Sequence, residues 1–209
     1  MKKCIYLFLL ISSLCAAQGT TLKMTTTYPE NKEIDQLFRF QGIEMYHTKI
    51  SGTDLKSKKY YIVSKEIWKG KVKSVDTLFN SATFPVSVVE GDTLKFNVIA
   101  MKSGSKTLKV MFDFGRFSLI EEYKSTKHSD YSLRDFGAQI EIETGKPFYA
   151  FAYILPQRNK DGSSSWCAVQ YSGKDIENWG TEFGIEHYIL FEMKFSDQES
   201  LFTTALSKN

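Results

Sequence analysis

The sequence predicts a mostly β protein: an antiparallel β-sandwich of jelly-roll or immunoglobulin-like type with short peripheral helices. Three observations predict it. Leu94, Phe96, Val98 and Ala100 alternate with Lys95, Asn97 and Ile99, and Leu108, Val110, Phe112 and Phe114 repeat the pattern after Ser103-Gly104-Ser105. A period of two places one set on a buried face and the other on a wetter one. About nine or ten such short segments recur between turn signals, the spacing of sandwiches and barrels. Phe148–Leu155 is apolar in both registers, as expected of a central strand covered on both faces. A closed β-barrel is the alternative.

Taken in order, the Thr-rich stretch 20–28 reads as an edge strand or a mobile start. Ile34, Leu37 and Phe38 follow Pro29 at helical spacing and predict a short helix over 30–40, ended by Gly42. Residues 43–50 read as a strand and 52–59 as a polar, Lys-rich loop. Residues 60–68 and 71–79 flank Lys69-Gly70 and form a hairpin candidate. A strand over 84–89 is expected to stop at Glu90-Gly91-Asp92. The alternating strands of residues 94–100 and 108–114 come next, and Gly115 reads as a kink or bulge before 117–123 continues the second of them.

Residues 124–132 are polar and read as an exposed loop. The stretch 138–143 alternates Ile140 and Ile142 with polar residues, and Gly145 turns the chain into the strand at 148–155. Asn159-Lys160-Asp161-Gly162 is a turn cluster leading to a returning strand at 165–171. A short helix is expected over 175–183, where Gly180 costs about 1 kcal/mol relative to Ala and Gly184 caps the end. Residues 185–195 form the last long strand. Ser196-Asp197-Gln198-Glu199 is a capping box ahead of Leu201, Phe202, Ala205 and Leu206 and predicts a terminal helix.

The N-terminus carries an address. Lys2 and Lys3 precede an apolar run from Ile5 to Leu14, and Cys15-Ala16-Ala17 supplies small residues before a cut at Gln18. This pattern is a secretory signal peptide over 1–17, leaving 18–209 as one β-sandwich domain that is periplasmic or secreted. The run is shorter than the roughly 20 residues a membrane-spanning helix needs. Lipid anchoring at Cys15 is disfavoured because bulky Leu14 precedes it. Loss of Lys2 and Lys3 brings 27 basic residues close to parity with 24 acidic ones, which excludes the clustered basic character of nucleic-acid binding. Loss of Cys4 and Cys15 leaves Cys167 alone, so the mature chain forms no internal disulfide and depends on its core.

Catalytic and metal motifs are sparse. Cys167, in the apolar setting Trp166-Cys167-Ala168-Val169, reads as a buried thiol and not as a nucleophile. His47, His128 and His187 lie apart, and no H-E-x-x-H or Cys pair accompanies them. Asp161 and the serines at 163–165 lack the spacing of a calcium loop. No G-x-S-x-G occurs. Glu121, Glu122, Glu141, Glu143 and Glu186 offer carboxylate pairs without specificity. No metal and no cofactor are expected.

The aromatic content, 14% of the chain, carries the functional expectation. Trp166, Trp179, Tyr171, Tyr149 and Tyr153 cluster in the C-terminal half, where exposed rings would stack on a sugar or anchor a protein partner. The sequence therefore points to an exported, non-enzymatic protein that binds a protein or glycan in the bacterial envelope. Two other readings stay open: a carbohydrate-active hydrolase using two carboxylates, and a lipocalin-like carrier of a small apolar ligand in an interior pocket.

Overall fold

The computed structural model describes residues 21–84, 88–166 and 175–197. In chain order the elements are β1 (Thr21–Thr27), α1 (Lys32–Gln41), β2 (Ile43–Ser51), β3 (Lys59–Trp68), β4 (Lys71–Asn80), β5 (Thr93–Ser103), β6 (Thr107–Asp113) and β7 (Ser118–Lys124). There follow β8 (Ser132–Arg134), β9 (Glu141–Glu143), β10 (Phe148–Ile154), β11 (Gln157–Arg158), β12 (Ser164–Ser165), α2 (Trp179–Glu182) and β13 (His187–Ser196). One sheet has six strands in the order β7-β6-β5-β2-β1-β9, and the other has five in the order β4-β3-β13-β10-β8. Neighbouring strands are antiparallel throughout. The β-sandwich expected from the alternation is the observed architecture.

Period-two patterning sets which side chains meet. The registers Tyr46↔Val98, Val98↔Phe112 and Phe112↔Leu119 form an inward row across β2, β5, β6 and β7. The facing sheet supplies Phe151 from β10 and Phe191 from β13, both with no exposed surface. The Phe112 ring meets Phe191 edge-on at 5.1 Å and Phe151 at 6.3 Å, and Phe96 meets Phe151 at 6.2 Å. Such contacts add about 0.5–1.5 kcal/mol each beyond burial of the rings themselves. The interior is thus filled by side chains, and the described cavities open at the surface. Among the described residues no helix is long and apolar enough to cross a membrane.

A tight turn and a close backbone approach fix the frame. At the β3–β4 turn Lys69 and Gly70 both have positive φ, 49° and 74°, the conformation that a two-residue turn between twisted strands demands. A Cβ on Gly180 would lie 2.4 Å from the Gly70 nitrogen. Gly180 therefore lets the segment at 175–185 seat against the hairpin, which is why a residue unfavourable to helix stands inside α2.

Several expectations change. The Thr-rich start is not an edge: β1 lies between β2 and β9, so both its sides are hydrogen-bonded. Gly115 does not kink a continuing strand. It turns the chain back, with Phe114 N–H donating to the Phe117 carbonyl at 2.9 Å, so β7 runs antiparallel to β6. The loop at 52–59 is less polar than its composition implies, because Leu55 is fully buried and Lys58 nearly so. The stretch at 138–143 shrinks to β9 after a 3-10 turn at Phe136–Gln139, and Ile140 stays exposed. Phe84 and Val88–Val89 are not strand. The returning strand is described only as β12. Its continuation, like Cys167, the signal segment and the terminal helix expected after Ser196, falls wholly or largely outside the described residues.

The inward phenylalanines set the stability. Phe112→Ala is expected to lower the unfolding free energy by about 3–5 kcal/mol. Phe40→Ala, at a position 90% exposed, should change it by no more than about 0.5 kcal/mol. Urea or guanidinium unfolding of both variants measures the difference.

Candidate functional site

Helix α1 is built by local signals. Asn31 caps it, its side-chain oxygen accepting from Glu33 N–H at 2.9 Å and Ile34 N–H at 3.2 Å. Glu33 and Asp35 occupy the first turn and Arg39 the last, a distribution that complements the helix dipole. Gly42 closes it at φ 70°, its N–H reaching the Arg39 carbonyl at 3.1 Å. These signals make a helix whether or not its apolar side is covered. Here it is covered only at Phe38, which is half-buried: no residue of α1 is fully buried, and Ile34, Leu37 and Phe40 are 43%, 51% and 90% exposed.

Two concavities meet at the C-terminal end of α1. The larger, about 510 Å³, is lined by Arg39, Gln41, Glu44, Lys102, Tyr131 and Tyr153, among others. The smaller, about 210 Å³, runs along the helix between Tyr28, Pro29, Phe38 and Met45. Arg39, Ile43 and Glu44 border both, so they form one surface with a polar end and an apolar flank.

Several polar groups in this cleft are held in place. The Glu44 carboxylate accepts from Leu133 N–H at 2.8 Å and from the Ser132 hydroxyl at 3.2 Å. Burial pushes its pKa above the usual carboxylate value, although those two donors and Arg134 pull the other way. Arg39 is paired with Asp35 at 2.9 Å. The Lys102 ammonium donates to the carbonyls of Thr126 and His128 at 3.0 and 2.7 Å, tying the loop after β7 to β5.

Behind Tyr131 lies a buried relay. The Tyr131 hydroxyl accepts from Thr126 N–H at 3.1 Å and is 2.7 Å from His187 Nδ1. The same hydroxyl lies 3.4 Å from Thr126 Oγ1, and on the far side of the His187 ring stands Nε2. That nitrogen points toward Glu66 Oε1 at 3.4 Å, outside hydrogen-bond geometry, while Glu66 accepts from the Trp68 indole at 2.7 Å. His187 has no exposed surface and sits 4.1 Å, ring to ring, from Trp68. Burial, with the Lys73 charge adding to it, pushes its pKa down to about 3. The imidazole is a neutral, structural group.

The five aromatics singled out in the sequence do not form an exposed platform. Trp179 and Tyr153 are 1% and 2% exposed. Trp179 packs on Phe136 and Tyr188, and Tyr153 on Tyr131 at the base of the cleft. Trp166 is half-buried with the Arg134 guanidinium 5.0 Å from its ring centre. Tyr149, also half-buried, accepts from Lys65 at 2.7 Å and donates to Glu177. Tyr171 lies outside the described residues. Of the four that are described, only Tyr153 lines the cleft. Among the described residues the exposed rings are Tyr28, Phe40 and Phe84, all in the N-terminal half. Tyr28 follows a Thr-rich strand and Phe40 falls outside the helical stripe that Ile34, Leu37 and Phe38 suggest, so spacing gave no signal for either.

Several other charged groups are paired in place. Lys65 bridges Glu177 at 2.7 Å and Glu192 at 3.0 Å. Burial opposes it, yet Lys65 and Tyr149 hold Glu177 below its usual value. Asp130 is bound by Arg158, Glu122 by Lys109, Glu143 by Lys146, and His47 by Asn97. Among the described residues no three His, Cys, Asp or Glu side chains converge as metal ligands. Comparison with protein-family models, with curated proteins and with solved structures finds no match for this chain.

Two pH effects follow. Unfolding frees His187 to bind a proton at its ordinary value near 6.5, which the folded state refuses until about pH 3. Stability is therefore complete above the unfolded value and falls as pH drops from about 6.5 toward 3. The denaturant midpoint should decline across that range, and His187→Gln should flatten this part of the profile. An identical slope in the variant would refute the assignment. Glu44 has the opposite sign. Its raised folded value means stability is lost as pH rises through it, so Glu44→Gln, which keeps the acceptor for Leu133, should be more stable than the native chain at pH 7.5. The difference should shrink as pH falls.

Proposed function

We propose that this is an exported, non-enzymatic β-sandwich that binds a protein partner in the bacterial envelope through α1 and the cleft at its end. One observation carries the reading: an amphipathic helix, capped at both ends, turns Ile34, Leu37 and Phe40 to solvent. Contiguous exposed apolar side chains rimmed by polar ones mark interaction surfaces. Their spacing suits a helix laid into an apolar groove of the partner, the anchors repeating about every turn. Arg39, Gln41 and Lys102 would supply the polar rim.

The export address at residues 1–17 supports the envelope setting. A two-carboxylate hydrolase is less well supported, because the carboxylates bordering the cleft are Glu44 and Asp35, and Asp35 is engaged by Arg39. A glycan ligand is the second reading. It is favoured by the 60% exposed ring of Tyr28 beside Arg39 and Glu44.

A photo-crosslinking residue at position 40 or 37, in cells that produce the protein, should give a discrete protein adduct. The same residue at exposed Lys106 should give none. Equal labelling at all three positions would sink the protein reading. Saccharide binding lost in Tyr28→Ala but kept in Phe40→Ser would replace it with the glycan reading.

A further inference from the structure

The sandwich has four sheet edges among the described strands, and they differ. β8 and β9 are three residues long. β4 is long but bulged. Phe79 pairs with Ile62 and Thr77 with Val63, which leaves Leu78 over. Ser74 pairs with Glu66 and Val72 with Ile67, which leaves Lys73 over. Short length, bulges and lysines are the devices that keep an edge from pairing. β7 is neither short nor bulged, and its one lysine, Lys124, stands at its last position. All seven of its residues pair with β6 in unbroken register.

The hydrogen-bond phase of β7 follows from its ends. Phe114 N–H donates to the Phe117 carbonyl and Ser125 N–H to the Lys106 carbonyl. In an antiparallel ladder, bonded and non-bonded pairs alternate. Residues 119, 121 and 123 therefore spend their backbone groups on β6. Ser118, Ile120, Glu122 and Lys124 turn theirs to the open side.

The outward side chains of the sheet carry a second pattern. The registers Met45↔Ile99, Ile99↔Met111 and Met111↔Ile120 draw one apolar row across β2, β5, β6 and β7. It ends at the edge on Ile120, which is 55% exposed.

We propose that β7 pairs antiparallel with β7 of a second copy about a two-fold axis at Ile120, joining the two six-stranded sheets edge to edge. The apolar row that ends on Ile120 favours an axis there, and charge disfavours the two registers centred on the glutamates. Opposed residues share a face, so the axis must pass through a residue. An axis at Glu121 sets two glutamates directly opposite on the inner face, and one at Glu122 does so on the outer face. Like charges directly opposite destabilise a pair. Burial, with Asp76 nearby, already disfavours the charged form of Glu121, so a second carboxylate there would be costly.

With the axis at Ile120, the two Ile120 residues form a hydrogen-bonded pair and the apolar row runs on into the second copy. Ser118 meets Glu122, and Leu119 meets Glu121. Arg116 comes opposite Lys124, but Glu90 holds Arg116 at 2.8 Å and offsets its charge. The inference does not depend on what α1 binds.

Sedimentation equilibrium of the exported protein tests it. The native chain should show a monomer–dimer equilibrium, and Ile120→Lys should weaken it by about tenfold or more with unchanged near-UV circular dichroism. Single-cysteine variants report the register, read against the native background of Cys167. At a bonded pair the Cα atoms lie about 5.5 Å apart, within reach of a disulfide. Ile120→Cys should crosslink on mild oxidation, whereas Glu121→Cys and Glu122→Cys should not. A native chain that stays monomeric at all concentrations, or crosslinking preferred at position 121 or 122, overturns the proposal.

Discussion

Four phenylalanines hold the two sheets in contact. Phe96 and Phe112 come from one sheet and Phe151 and Phe191 from the other, and their rings meet across the interface at 5.1 to 6.3 Å. Around them Ile50, Val98, Val110, Ile189 and Met193 have no exposed surface. Closing this layer removes apolar surface from water at about 25 cal/mol per Å², and that burial is the dominant stabilising contribution described here. Everything at the rim of the sandwich is arranged by how the closed sheets end.

That closure has an electrostatic consequence. Where strands run past the apolar centre, polar groups are carried into low-dielectric surroundings and must find one another. His187 enters neutral beside Tyr131 and Glu66, and Lys65 draws together Glu177 and Glu192. Glu44 is gripped by the backbone of β8 in the opposite sheet. These groups resemble reactive clusters in a bare residue inventory. In place, most are partnered inside the fold, and Glu44 and Tyr131 also face a cleft.

Helix α1 escapes this logic because its ends, and not its packing, make it. Asn31 and Gly42 satisfy orphan backbone groups locally, so the helix persists with most of its apolar side uncovered. The same reasoning separates β7 from β4. Both end a sheet, yet only one keeps a regular ladder to its last residue. Among the described residues, an exposed helix face and an unbulged edge are two places where this fold still has something to bury or pair.

Much of the architecture was legible in the chain because alternation is a local property. Leu94 to Ala100, Leu108 to Phe114 and Phe148 to Leu155 declare their buried faces through neighbours two residues away. So do the turn at Lys69-Gly70 and the helix stop at Gly42, each set by φ preferences of single residues. What the chain could not declare is which distant segment arrives opposite. The order that places β1 inside a sheet, the reversal at Gly115, the burial of Trp179 and Tyr153, and the meeting of Arg39, Glu44 and Tyr131 all depend on contacts between residues far apart in sequence. An aromatic ring is equally suited to a core and to a binding surface, so composition alone placed the candidate site on rings that the closed sandwich largely keeps for itself.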